Sequence, residues 1–190
     1  MQGKTRRHMV AVSQAGLRRF FERLVQPAFS TLGLGDRALS DYVADMLARF
    51  ARTDQLYRIR DARGRPLETV AEILIELTRQ WGPGVPYSFD REFEIRRHSG
   101  DYALFMSGLF RPHVERSALL DYYLAQGRAA YRAAADLGQL ALLPEVQLFA
   151  ALSDRFEHLS GGLDFMRKVY MRPELHAGPY RDLLQDLERP

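Results

Sequence analysis

The chain has 190 residues, a formal net charge of +3 and no cysteine. Disulfides, thiolate metal sites and a cysteine nucleophile are therefore excluded, and the length suits one domain whose core needs no covalent staple. No apolar stretch follows the basic start Met1-Gln2-Gly3-Lys4-Thr5-Arg6-Arg7-His8, and no uncharged run approaches the ~18 residues of a membrane span, so the expectation is a cytoplasmic protein without signal peptide or membrane span.

Charge is unevenly spread. Residues 1–66 hold 13 Lys and Arg against 6 Asp and Glu, whereas residues 67–190 hold 14 against 18. A basic first third can meet nucleic acid or another anionic surface. However, 25 of the 27 basic residues are arginine, beside heavy use of Ala, Leu and Gly. That points to compositional bias, and these arginines alternate with acids instead of clustering. Nucleic acid is not the expected partner.

Residues 1–12 read as a flexible basic tail ahead of a single helical domain over 13–190. Ser13 can cap a first helix to about Phe29, with Leu17, Phe20, Phe21, Leu24 and Val25 as its apolar stripe. Asp36 or Ser40 caps a second, to about Arg52. It places Leu39, Val43, Met46, Leu47 and Phe50 inside and Asp41, Asp45 and Arg49 on the other side. Leu56 to Arg60 alternates like a strand but has no strand of comparable strength to pair with, so it reads as extended or loop. A third helix is expected over Leu67–Gln80, ended by Trp81-Gly82-Pro83-Gly84-Val85-Pro86.

Ser88 or Asp90 then starts a central segment to about Phe110. From Tyr102 to Phe110 it carries no charge, so it should be buried on all sides. Gly100 permits either one helix, about 34 Å long at 1.5 Å per residue, or two. Arg111-Pro112-His113 breaks the chain before a helix over about 117–137, which buries Leu120, Tyr123, Leu124, Gly127 and Tyr131. Pro144 suits the start of a helix that Gly161-Gly162 would end. Leu163–Met171 and Pro179–Glu188 complete the set. The pattern predicts an all-α fold of seven or eight packed, mostly antiparallel helices. Its two longest should press together through glycines and alanines.

The run Gly100-Asp101-Tyr102-Ala103-Leu104-Phe105-Met106-Ser107-Gly108-Leu109-Phe110, followed by Asp121-Tyr122-Tyr123, Gly127 and Ala130-Tyr131, resembles a pattern in uncharacterised bacterial all-helical proteins. The resemblance covers roughly residues 14–170. It implies the helical fold and the weight of these two helices, and it brings no activity.

The motifs of chemistry are mostly missing. No glutamate has a histidine three residues later, as a di-iron bundle requires. Ser107 lies in no Gly-x-Ser-x-Gly elbow, and there is no phosphate-binding glycine loop. Asp90, Glu94 and His98 fall at i, i+4 and i+8, with Asp101 after them. They are weak metal or acid–base candidates. The alternative is a solvated stripe in which Arg91, Arg97 and their neighbours pair against the acids. Asp101 opens the uncharged segment, so if buried it needs partners. His98, Ser107, Tyr122, Tyr123 and Tyr131 can supply them, as a ligand-binding pocket or as a structural network. No catalytic residue and no cofactor is assigned. The reading is a non-enzymatic helical interaction module whose partner is another protein or a second copy of itself. The alternatives are a small apolar-ligand-binding domain between the central and 117–137 helices, and a metal or acid–base site on the central helix.

Overall fold

Ser13 Oγ accepts from Gly16 N at 3.1 Å, and Asp36 Oδ1 accepts from Ala38 N at 2.9 Å. Each satisfies amide hydrogens that a first helical turn leaves open. The helices they start are α1 (Gln14–Thr31) and α2 (Arg37–Phe50). The computed structural model describes residues 12–52, 65, 72, 75 and 86–187. Residues 1–11 of the tail expected over 1–12, the extended stretch Leu56–Arg60 and almost all of the helix expected over Leu67–Gln80 lie outside the described residues, and Val12 packs partly buried against the core.

Ser88 caps α3, which runs unbroken from Phe89 to Leu109. Gly100 therefore sits inside one helix. After it come α4 (Arg111–Arg116), α5 (Leu120–Leu140), α6 (Val146–Asp154) and α7 (Phe156–Tyr170). A 3-10 turn at Pro173–Leu175 leads to α8 (Pro179–Leu187). The described residues form these eight α-helices and no strand, so the fold is all-α. No helix among them is long and apolar enough to cross a membrane.

Some boundaries differ from the sequence reading. Pro27 lies within α1, which continues to Thr31. Arg111-Pro112-His113 starts a short helix instead of a break, because proline fits a first turn. Gly161 and Gly162 do not end a helix. The break falls at Arg155, and α7 runs through both glycines. The reason is packing: a Cβ on Gly162 would lie 2.9 Å from the Phe29 ring of α1.

The core is built on α3 pressed against α5, with α7 and α1 beside them and α2 on α1. As its lack of charge requires, α3 is buried from His98 to Leu109 except for a half-buried Met106. Glycines set the closeness. A Cβ on Gly100 would stand 2.5 Å from the Tyr131 ring of α5. On Gly127 it would stand 2.0 Å from Phe156, and on Gly108 2.6 Å from Leu163. All three distances are below van der Waals contact, so these helices meet only because the side chains are absent.

Three helices end alike. In each, the amide two residues past the cap reaches back to a carbonyl five residues earlier: Leu34 to Phe29, Leu119 to Val114, and Leu143 to Gly138. The motif puts the residue after the cap in left-handed backbone, where glycine is favoured. Gly33 fills it in α1 at φ 71°, but Ala118 fills it after α4 at φ 54° and Leu142 after α5 at φ 55°.

Candidate functional site

Asp101 has no exposed surface. Its carboxylate is the centre of a network that ties three helices. Oδ1 accepts from the Tyr42 hydroxyl of α2 at 2.6 Å and from the Tyr131 hydroxyl of α5 at 2.7 Å. Oδ2 accepts from Arg49 Nη2 of α2 at 3.2 Å, which is also an ion pair. Arg49 further holds Asp45 at 3.2 Å through Nε and lies 6.0 Å from the Tyr42 ring centroid.

The local sequence explains the arrangement. Asp101 follows Gly100, whose missing side chain lets the Tyr131 ring lie against α3 and bring its hydroxyl to the carboxylate. Tyr42 and Arg49 stand seven residues apart, two helical turns, so both project from one side of α2. Phe149 of α6 walls off the tyrosines, with ring centroids 5.8 Å from Tyr42 and 6.1 Å from Tyr131.

Both phenols are pushed well above their ordinary pKa, first by burial and then by the Asp101 charge beside them. They are neutral donors over the whole physiological range. Burial opposes the charge of Arg49, but Asp101, Tyr42 and Asp45 outweigh it and leave its pKa raised. Neither phenol is activated as a base, and the carboxylate is committed to three donors. The network suits holding helices in register, not moving protons.

The structure brings together only part of the expected set. Asp101 and Tyr131 meet, but the carboxylate has no hydrogen bond to His98, Ser107 or Tyr123. His98 is buried with its ring against Phe50 at 5.4 Å and Tyr102 at 6.5 Å. Ser107 turns back to its own helix, with Oγ 3.5 Å from Leu104 O. Tyr123 stacks edge-on with the exposed Tyr122, and burial, then Tyr122, raises its pKa. The members that sequence reasoning missed are Tyr42 and Arg49. Arg49 makes the expected pair with Asp45 but is not confined to the wet face.

The stripe on α3 does not converge. Asp90 is exposed, Glu94 pairs with Arg91 at 3.5 Å, and His98 points into the core. No group of three histidine, aspartate or glutamate side chains placed to hold a metal occurs among the described residues. Arg91 pairs against an acid as expected, but Arg97 does not. Between α3 and α5, where an apolar ligand was considered, the Tyr131 ring occupies the contact against Gly100.

One further feature lies at the surface. In the turn from α5 to α6, Leu140 is 83% and Leu142 90% exposed. Residues Leu137 to Pro144 carry no charge. No family model, curated protein or solved structure matches this chain.

Proposed function

We propose that this chain is a non-enzymatic helical interaction module that self-associates through the turn between α5 and α6. The observation that carries the reading is Leu142. Left-handed backbone costs a residue with a side chain roughly 1 kcal/mol, and glycine would avoid it. The leucine gains nothing inside the chain in return, because its side chain stands in water. Its neighbour Leu143 makes the capping hydrogen bond to Gly138 and lies against the fold. Leu140 adds a second exposed apolar side chain two residues away. Leucines held out in this way are explained by a contact outside the chain.

A second copy fits the chemistry of the patch. A two-fold contact sets a surface against itself, so a charged patch would repel its own image. The uncharged run from Leu137 to Pro144 meets no such penalty. The committed state of Asp101 supports the non-enzymatic part of the reading.

Light scattering of the purified chain over a wide concentration range tests this. The mass is expected to rise from the 21.8 kDa of one chain towards twice that value. The double variant Leu140→Ser/Leu142→Ser should stay at one chain throughout. A wild type that remains a monomer, or a double variant that associates equally well, contradicts the proposal.

A further inference from the structure

The α5–α6 turn alone is a small contact. Stable association of two chains buries about 800 Å² on each. Two leucines, even at 83% and 90% exposure, supply well under half of that area. A face that joins two copies therefore continues beyond Leu140 and Leu142. What adjoins the turn at this end of the fold is the start of α3.

Helices α3 and α5 run antiparallel. Gly100 meets Tyr131, and a Cβ on Gly138, near the end of α5, would stand 3.8 Å from the Phe93 ring. Phe93 also lies edge-on to Phe149 of α6 at 5.5 Å. Towards the start of α3 the next aromatic is Phe89, half-buried and stacked on Phe93 at 6.1 Å. Ahead of the Ser88 cap, Tyr87 is 57% exposed, more than any other described aromatic residue. A residue just before a helix cap often folds an apolar side chain onto the residue five positions later. Here that residue is Glu92, which offers the phenol an acceptor but no apolar surface, and Arg96 holds it. The fold leaves the Tyr87 ring largely in water, as it leaves Leu142. Neither Tyr87–Phe89 nor Leu137–Pro144 carries a charge, and charge resumes at Asp90 and Glu145.

We infer that the self-association face continues from the turn onto the start of α3, with the Tyr87 ring of each copy packing on the uncharged turn of the other. The inference rests on the self-association proposed above and names a second element of that face. A two-fold contact makes the exchange reciprocal, so each ring counts twice. Aromatic rings are also the side chains that most often carry the energy of such a face.

Sedimentation of the full chain over a range of concentrations tests it. The wild type should associate, and Tyr87→Ser should raise the concentration of half-association about tenfold or more, the scale of an aromatic anchor. Because the side chain is largely in water, Tyr87→Ser should keep the wild-type circular dichroism. Tyr87→Phe keeps the ring and should associate as the wild type does. Tyr122→Ser removes the exposed tyrosine at the far end of α5 and should match the wild type too. If Leu140→Ser/Leu142→Ser prevents association but Tyr87→Ser associates as the wild type does, the turn stands and its extension onto α3 is wrong. If the wild type is a monomer at every concentration, both readings fall. A loss in Tyr87→Phe as large as in Tyr87→Ser would also overturn the ring contact.

Discussion

Two places, one within α5 and one just past its end, use residue size in opposite ways. At Gly127 a side chain is missing where a helix normally tolerates one, and the Phe156 ring fills the space. At Leu142 a large side chain is present where the backbone favours none, and nothing within the chain fills against it. The first choice is explained by the interior: it lets α3, α5 and α7 close on one another. The second has no interior explanation. The comparison separates residues that serve the fold from a residue that the fold does not account for.

Breaking the interior side should cost most. Asp101→Ala removes the shared acceptor of three donors, leaving two phenols unmet and Arg49 with Asp45 as its remaining counter-charge. A loss of about 3 kcal/mol is expected, read as a lowered urea midpoint. Gly127→Ala should cost about 2 kcal/mol from overpacking against Phe156, despite the better helix propensity of alanine. Gly161→Ala sharpens the point, because nothing lies within 4 Å of a Cβ there. That variant should gain up to about 1 kcal/mol by thermal unfolding. Equal effects at the two glycines would remove the packing argument.

The phenols give a pH signature. The folded pKa values of Tyr42 and Tyr131 are raised above the unfolded value of about 10. Their contribution is therefore complete below about pH 10 and is lost as pH rises through the folded values. Denaturant midpoints should fall on the alkaline side, and Tyr131→Phe should flatten that fall while costing about 1.5 kcal/mol at neutral pH. The smallest effect is expected at the turn. Leu142→Gly should raise monomer stability by roughly 1 kcal/mol and weaken association. A variant that is less stable as a monomer would show that the leucine serves the fold after all.

Much of the fold was legible because periodicity and caps are local. Ser13, Asp36 and Ser88 cap where their side chains and the following stripes place them. The uncharged run after Asp101 announced its own burial. The helix end at Gly161-Gly162 was misread because a glycine that stops a helix and one that admits a neighbour look alike in sequence. Only Phe29, more than a hundred residues away in the chain, distinguishes them. The candidate site was half legible for the same reason. Asp101 demanded partners and Tyr131 was among those considered. Arg49 and Tyr42 were hidden because a long side chain beside a charged stripe satisfies a surface reading equally well. Leu140 and Leu142 gave no local signal, since exposure is decided by what the rest of the chain leaves uncovered.

The absence of cysteine allows the turn to be tested directly. Leu142→Cys places a single thiol at the exposed position, and Glu157→Cys places one on the exposed face of α7. Under mild oxidation at equal concentration, Leu142→Cys is expected to give a disulfide-linked dimer well before Glu157→Cys does. Equal rates of crosslinking at the two positions would contradict a contact through the α5–α6 turn.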